Sequence, residues 1–137
     1  YCANCNLEEH LRSFREQVVE GLRMGAVTVN VHSGHDSWDM DTAAKYLREA
    51  LQIEASLLEE NPEYNHATIV HETHRQRVMH SPFQTRELLR RPDMKRLRIN
   101  ADLSHWVCVC ERVFDETDQR DASVRSVQEL LQRRYLP

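Results

Sequence analysis

Glycine and proline are scarce in this sequence, with 3 glycines and 4 prolines among 137 residues. That composition excludes a collagen-like repeat and leaves little material for a disordered linker. No apolar run approaches the roughly 20 residues needed to cross a bilayer, and the first residues lack the charged and apolar regions of a signal peptide. Hydrophobic residues at 40% and charged residues at 29% are ordinary for a soluble globular protein. The composition therefore predicts one soluble domain with a single core.

An excess of positive charge is also missing, since the formal net charge is −4 and the isoelectric point is about 6.1. Such a surface has no general attraction for phosphate backbones or anionic lipid. A nucleic-acid partner is therefore disfavoured, and no membrane partner is expected. Reduced thiols fit a soluble intracellular protein of the cytoplasm or an organelle matrix.

Several catalytic motifs are absent. The run His71-Glu72-Thr73-His74 has the wrong spacing for the zinc-protease motif HExxH and follows a predicted strand instead of lying on a helix. No glycine-rich phosphate loop, GxSxG elbow or nucleophilic cysteine with a plausible partner is visible. These absences disfavour hydrolases that act through a nucleophile.

The four cysteines form two close pairs, a CxxC at Cys2 and Cys5 and a CxC at Cys108 and Cys110. Four thiolates are enough to close a tetrahedral zinc site, which stays open as an alternative. The apolar residues around Cys108 and Cys110 recur at helical spacing, which favours small buried cysteines on a helix instead. Residues two apart on a helix also point in different directions, which suits joint coordination poorly.

The pattern of apolar residues predicts an alternation of helices and strands. Helices are expected over residues 7–24, 41–59, 81–90, 106–114 and 122–134, and short buried strands over residues 27–31, 67–70 and 97–101. Asn6 is the expected N-cap of the first helix, and Gly25 its end. Strands that alternate with helices form βαβ crossovers, so the predicted fold class is α/β with a parallel sheet.

Each predicted strand ends in polar residues of catalytic type. The three clusters are His32-Ser33-Gly34-His35-Asp36, His71-Glu72-Thr73-His74-Arg75 and Asp102-Leu103-Ser104-His105-Trp106. In parallel sheets ligands bind at the carboxyl ends of the strands, where these clusters are expected to meet. The sequence therefore predicts one shared site.

The residue types in these clusters favour a divalent metal. Glu72 and Asp102 end neighbouring strands, and the nearby imidazoles belong to His32, His71, His74 and His105. Mixed carboxylate and imidazole ligands suit Mn²⁺, Zn²⁺, Co²⁺ or Fe²⁺ better than Ca²⁺. Because strand residues alternate in direction, Glu72 is expected to face the site while its neighbours face the helix layer.

The other histidines are assigned by their place in the pattern. His10, His66 and His80 lie in helical or connecting sequence and are expected on the surface. His35 and Asp36 are expected either to reach the site or to cap the next helix.

The three clusters carry a family resemblance. Residues 29–38 (VNVHSGHDSW), 70–75 (VHETHR) and 101–106 (ADLSHW) resemble successive strand ends of the xylose-isomerase-like barrel superfamily. That group includes sugar isomerases and epimerases and, more distantly, the endonuclease IV type of DNA-repair enzyme. The resemblance covers nearly the whole chain and implies that the parallel βαβ units form part of a TIM (β/α)8 barrel.

The resemblance also implies roles for individual residues. Glu72 and Asp102 match the family's metal-binding Glu and Asp, and His105 matches a His near metal or substrate. The implied cofactor is a divalent metal, namely Mn, Zn, Co or Mg, and the implied catalytic residues are Glu72 and His105. The implied substrate contacts are His32, His74, Arg75 and Trp106.

The implied reaction is the isomerisation or epimerisation of a sugar or sugar acid, a small-molecule carbohydrate. In this family the metal polarises carbonyl and hydroxyl oxygens of the substrate, and a carboxylate moves a proton through an enediolate. Glu72 is the candidate for metal ligand and acid/base together.

The chain departs from the family in its ligands and in its number of strands. The family's remaining metal ligands, a His and a Glu, come from later strands, and no His follows His105. Three strands cannot close a barrel that needs eight. Residues 1–137 are thus expected to be a single partial barrel of about three β/α units, which needs the remaining strands or partner chains to cover its sheet.

Two alternatives follow from these departures. A truncated, non-catalytic relative would act as a structural or interaction subunit of a larger assembly. An endonuclease IV-like phosphodiesterase would use His32, Glu72, Asp102 and His105 as metal ligands. The acidic charge and the lack of an aromatic and basic DNA-binding face weigh against the second alternative.

Overall fold

A computed structural model describes residues 6–110 of the chain, with side chains described as far as Cys108. Its elements are α1 (Leu7–Arg23), β1 (Thr28–Val31), α2 (Met40–Glu60), β2 (Thr68–Glu72), α3 (Pro82–Leu89), β3 (Ile99–Asn100) and α4 (Leu103–Cys110). The predicted helix over residues 122–134, together with Cys2 and Cys5, lies outside the described residues. Within them, every helix is too short or too polar to cross a membrane.

The ends of α1 follow the local chemistry of the sequence. The side chain of Asn6 accepts hydrogen bonds from the backbone N–H groups of Glu8 and Glu9, at 3.0 and 3.3 Å, as an N-cap does. After the helix, Gly25 has a φ of +78°, a conformation that glycine adopts without steric cost. Both predicted ends of the first helix are confirmed.

The three strands form one parallel sheet in the order β1-β2-β3. Thr28 pairs with Thr68 and Val31 with His71, while His71 and Glu72 pair with β3. Helix α2 connects β1 to β2, and α3 connects β2 to β3. The predicted α/β class with parallel βαβ units is therefore confirmed.

The core lies between the sheet and the helices on one of its faces. The strands contribute Val29, Val31 and Ile69, which are all buried. The helices contribute a stripe from α1, namely Phe14, Val18 and Leu22, and a longer stripe from α2 that includes Ala43, Ala44, Tyr46, Leu47, Ala50, Leu51 and Leu57. Burial of this apolar surface is the main stabilising contribution to the fold.

The other face of the sheet carries alternate residues that are polar and accessible. Thr28, Asn30, Arg98 and Asn100 are exposed, and Val70 is half-buried. The alternation is clearest in β1, where exposed and buried residues follow one another. The described residues place no helix layer on this face, so the face is available to a ligand or to further polypeptide.

His10 corrects one expectation, because it is buried and not on the surface. The residue is 5% exposed, and its ring packs edge-on against Trp38 with a centroid distance of 4.9 Å. It occupies the helical position four residues before Phe14, so it lies on the buried stripe of α1. His66 is exposed and His80 is half-buried.

The third β/α unit differs from its prediction in length. Strand β3 contains only Ile99–Asn100, and α4 begins at Leu103, three residues before the predicted start. The early start follows from Asp102, whose side chain accepts a hydrogen bond from the N–H of Ser104. Cys108 is an exposed free thiol, so the expectation of a buried cysteine is wrong there.

Gly34, in the loop after β1, lies where the chain needs both an unusual backbone and empty space. Its φ is +61°, and a Cβ atom there would lie 2.5 Å from Val78 Cγ1 and 2.6 Å from Trp38 Cζ3. Gly25 also has a positive φ, but a Cβ there would meet no atom within 4 Å. Substitutions at these two glycines therefore distinguish the cost of backbone strain alone from the cost of backbone strain with steric crowding.

We expect Gly34→Ala to lower the free energy of unfolding by about 2–4 kcal/mol, since backbone strain and overpacking add. Gly25→Ala is the matched control and should cost only about 1 kcal/mol, from the backbone alone. Urea unfolding followed by circular dichroism measures both. Equal losses in the two variants would show that the contacts around Gly34 relax freely.

Candidate metal centre

The three strands deliver their polar residues to one edge of the sheet. His32 directly follows β1, Glu72 is the last residue of β2, and Asp102 lies two residues beyond β3. Because the strands are parallel, these carboxyl ends lie side by side. The loops after them add His74 from the segment following β2 and His105 from the first turns of α4.

Glu72 is the centre of this group. Its Oε2 atom lies 3.2 Å from His32 Nε2 and accepts a short hydrogen bond from Asn30 Nδ2. Its Oε1 atom lies 3.6 Å from His105 Nε2. The Glu72 side chain is 11% exposed, against 45% for His32. The carboxylate is thus held on the open face of the sheet and approached by side chains from two directions.

Asp102 and His105 form the second half of the site. His105 Nε2 lies 3.7 Å from Asp102 Oδ2, three residues apart at the start of α4. The other carboxylate oxygen, Oδ1, accepts hydrogen bonds from the hydroxyl and the N–H of Ser104, at 2.6 and 3.0 Å. These bonds lower the pKa of Asp102 below its ordinary 3.8, and the nearby His105 and His74 lower it further. Asp102 is therefore an anion at neutral pH.

Three imidazoles lie close together beside the two carboxylates. The rings of His32 and His74 are stacked with centroids 4.3 Å apart, and those of His74 and His105 are tilted with centroids 3.9 Å apart. His74 Nδ1 lies 2.5 Å from the carbonyl oxygen of Arg75, which fixes the orientation of the middle ring. Three histidines from three strand ends thus share one small volume.

The donor atoms fit a divalent ion by number and by spacing. Two groups have ligand atoms within 4.8 Å of one another, Glu72 with Asp102 and His105, and Glu72 with His32 and His74. Neighbouring ligands of an ion bound at about 2.1 Å lie roughly 3.0–3.5 Å apart. The observed pairs at 3.2, 3.6 and 3.7 Å need only small side-chain adjustments to meet that spacing. Carboxylate and imidazole are also the ligand types that Zn²⁺ and Mn²⁺ share.

Two predicted substrate contacts lie outside this group. Arg75 is exposed, and its backbone carbonyl oxygen lies 2.5 Å from His74 Nδ1. Trp106 is half-buried and donates a hydrogen bond from Nε1 to the carbonyl oxygen of Met79, at 2.9 Å. The indole therefore joins α4 to the loop after β2.

His35 and Asp36 belong to their own loop. His35 Nδ1 lies 2.8 Å from Ser37 Oγ and 3.3 Å from Asp36 Oδ1. The N-cap of α2 is Asp39, whose side chain accepts a hydrogen bond from the N–H of Thr42. The expected capping of α2 by His35 or Asp36 is therefore wrong, because Asp39 caps this helix.

Two asparagines complete the site and were not anticipated. Asn30 donates to Glu72, and its Oδ1 accepts from Asn100 Nδ2 at 3.4 Å. The three side chains come from three adjacent strands and form a polar row across the open face. The available signal was an asparagine in the middle of a β-branched strand, a position where a polar amide usually has a structural or binding reason.

His71 points to the opposite face, as predicted for the neighbours of Glu72. Its Nε2 lies 2.8 Å from Glu54 Oε1, its Nδ1 lies 2.5 Å from Ser33 Oγ, and its ring stacks on Phe14. Tyr46 lies at the same place in the core. Burial raises the pKa of Tyr46 to about 12, while hydrogen bonds with the Ser33 side chain and the Gly34 backbone oppose that shift.

Comparisons with protein-family models, with curated proteins and with solved structures found no match to this chain. The assignment of a function therefore depends on the geometry of the site and on the motifs in the sequence.

We expect the stability of the protein to fall by roughly 2–3 kcal/mol between about pH 10 and pH 12 because of Tyr46. Its folded pKa of about 12 lies above the value of 10.0 for an accessible tyrosine. The unfolded chain therefore loses this proton first, and the folded state loses stability as the pH rises through that interval. Urea unfolding at a series of pH values measures the loss.

The control for this prediction is a pair of tyrosine variants. Tyr46→Phe should remove this part of the alkaline loss, although it also removes a hydrogen bond and lowers stability at neutral pH. Tyr64→Phe, at a half-buried tyrosine before β2, should leave it in place. An unchanged alkaline slope in Tyr46→Phe would contradict the assignment.

Proposed function

We propose that the protein containing this chain is a metal-dependent isomerase or epimerase acting on a sugar or sugar acid. The observation that carries the proposal is the convergence of three strand ends on one carboxylate. Glu72 lies 3.2 Å from His32 and 3.6 Å from His105, and His105 lies 3.7 Å from Asp102. These residues are the ones that resemble the metal and substrate positions of the xylose-isomerase-like superfamily.

The proposed ligands are Glu72, Asp102 and His105. A divalent ion held by these residues would act as a Lewis acid toward carbonyl and hydroxyl oxygens of a bound sugar. The acidity of Asp102 keeps this ligand anionic at neutral pH, and the Ser104 bonds hold it in place. The two carboxylate oxygens of Glu72 face different partners, with Oε2 near His32 and Oε1 near His105. One oxygen can therefore bind the metal while the other moves a proton between neighbouring carbons.

The remaining polar side chains suit the binding of a hydroxylated substrate. His32, at 45% side-chain exposure, stacks on His74 beside Glu72. Asn30 and Asn100 offer amide donors and acceptors on the same face. Closely spaced donors and acceptors of this kind match the vicinal hydroxyl groups of a sugar.

We further propose that the three β/α units are part of a TIM barrel, with the polar face of the sheet turned to the barrel interior. The parallel order β1-β2-β3, the helices on one face and the site at the carboxyl ends of the strands all support this arrangement. Further strands beside β1 and β3 would cover the open face and supply the remaining metal ligands.

We expect Glu72→Gln, in the complete protein, to abolish sugar interconversion and to weaken metal binding at least about a hundredfold. The amide keeps the size of the side chain and loses the charge, and removing a direct ligand costs more than the 10- to 100-fold of an outer contact. Metal content by mass spectrometry, isothermal titration with Mn²⁺ and Zn²⁺, and deuterium exchange at the substrate carbon next to the carbonyl measure these effects.

Glu59→Gln is the matched control, because Glu59 is an exposed residue of α2. That variant should keep wild-type metal content and turnover. Unchanged metal content and turnover in Glu72→Gln would sink the proposal.

Phosphodiester cleavage at damaged DNA is the second candidate, favoured by the additional group of Glu72 with His32 and His74. A nuclease that uses both groups binds more than one ion and incises abasic duplex DNA. Incubation of the complete protein with such a duplex and Zn²⁺ or Mn²⁺ tests it. Incision that is lost in His32→Ala would favour this candidate over the isomerase.

A structural or interaction subunit is the third candidate, favoured by the accessible polar face of the sheet. The native mass and metal content of the purified protein separate it from the enzyme. A mass near twice the 16.2 kDa of this chain, with about one divalent ion, would support the barrel enzyme. A mass of 16.2 kDa without metal would favour the structural subunit.

A further inference from the structure

A chain of buried polar side chains runs behind the candidate metal centre, on the helix side of the sheet. Ser33 Oγ lies 2.5 Å from His71 Nδ1, and His71 Nε2 lies 2.8 Å from Glu54 Oε1. Ser33 and His71 are 0% exposed and Glu54 is 9% exposed. Polar groups buried this deeply in an apolar core are costly unless each is hydrogen-bonded. We therefore ask what this series of hydrogen-bonded side chains contributes to the protein.

The order Ser, His, Glu is that of a hydrolytic triad, but these residues do not form one. A triad serine must be reached by the substrate, whereas Ser33 is fully buried beneath the sheet. Tyr46 is hydrogen-bonded to Ser33, Phe14 stacks on His71, and both aromatic rings are buried in the core. The arrangement is therefore a fixed hydrogen-bond chain inside the protein.

The donor and acceptor groups of these side chains determine the direction of each hydrogen bond. A Glu54 carboxylate only accepts hydrogen bonds, so His71 donates to it from Nε2. In the neutral imidazole, Nδ1 then accepts from the Ser33 hydroxyl. Tyr46, which keeps its proton at neutral pH, can donate to the Ser33 oxygen. Each donor then has one acceptor, and such chains strengthen cooperatively at low dielectric.

The chain contacts the metal centre through the backbone. Ser33 directly follows His32, and His71 directly precedes Glu72. The strand pairing between β1 and β2 ends at Val31 and His71, so His32 lies beyond the last paired residue of its strand. The side-chain hydrogen bond between Ser33 and His71 connects the two segments beyond the last backbone pair of β1 and β2. The Ser33 carbonyl oxygen also accepts from the N–H of Val78, at 3.0 Å.

We propose that His71 is a positioning residue of the metal centre, which acts through Ser33 to hold His32 against Glu72. Glu54 fixes the orientation of the imidazole from α2, and the imidazole anchors the end of β1 from below the sheet. This proposal rests on the proposed metal site where it is tested by Zn²⁺ affinity. Where it is tested by the distance between His32 and Glu72 in the metal-free protein, it does not depend on that site.

Two substitutions of His71 each keep one of its two hydrogen bonds and remove the other. Glutamine places an amide near the Nε2 position, which keeps donation to Glu54 and removes the acceptor for Ser33. Asparagine places an oxygen near the Nδ1 position, which keeps the acceptor for Ser33 and gives up Glu54. If the tie to Ser33 is what positions the site, asparagine preserves function better than glutamine.

We expect Ser33→Ala and His71→Gln to weaken Zn²⁺ binding about tenfold or more, the lower end of the cost of losing an outer contact at a metal site. His71→Asn should lose less. Glu54→Gln, which still accepts from Nε2, should bind Zn²⁺ nearly as the wild type does. Titration calorimetry on the complete protein, well below the unfolding temperature of each variant, measures the affinities.

The control for a general loss of stability is Val18→Ala, in the core on α1 and outside the polar chain. Its free energy of unfolding should fall by an amount comparable to that of Ser33→Ala, while Zn²⁺ affinity stays at the wild-type value. Wild-type affinity in both Ser33→Ala and His71→Gln would overturn the positioning role. An equal loss of affinity in Val18→Ala would overturn it as well.

Crystal structures of the metal-free variants test the positioning role of His71 independently of the proposal that the site binds a metal. In Val18→Ala the distance from His32 Nε2 to Glu72 Oε2 should remain near 3.2 Å, and in Ser33→Ala the two side chains should separate. If the wild-type protein binds no metal but this separation occurs, the metal proposal fails and the positioning role stands. If the distance is unchanged in Ser33→Ala, the positioning role fails whatever the metal result.

Discussion

The register between β1 and β2 is the constraint on which both faces of the sheet depend. Val31 pairs with His71, which places His32 beside Glu72 on one face and Ser33 near His71 on the other. A slip of one residue would reverse the faces of a whole strand. It would bury the Glu72 carboxylate in the apolar core and expose His71. The apolar residues Val29 and Ile69, buried at 8% and 2% exposure, oppose such a slip.

The two faces use polar residues in opposite ways. On the open face Glu72, Asp102 and the three imidazoles bring together the ligand types that a divalent cation binds. On the buried face Glu54, His71 and Ser33 satisfy one another. A protein selected for stability alone gains little from either set, because well-packed apolar residues do as well as buried polar pairs. Their joint presence across the same two strand ends favours a functional explanation.

Much of the fold could be predicted from the sequence, because it is governed by local patterns. The spacing of Phe14, Val18 and Leu22 encodes α1, and the β-branched residues after Gly25 encode β1. The residues of the candidate metal centre could be placed together because parallel strands end at one edge. The tertiary partners could not be predicted. The spacing of Glu54 from Leu51 and Leu57 places it on the buried stripe of α2, but nothing local identifies His71 as its partner. In the same way, nothing in its own segment shows that His10 packs against Trp38.

The hydrogen bond from the Trp106 indole to the Met79 carbonyl makes tryptophan fluorescence a probe of the candidate site. A backbone acceptor is present whatever side chain occupies position 79, so the link survives sequence drift in the loop. It also couples the surroundings of a fluorophore to the segment that carries His74. The other tryptophan of the sequence, Trp38, is 8% exposed in the core. Intrinsic emission therefore contains one optical signal from the interior and a second from the rim of the site.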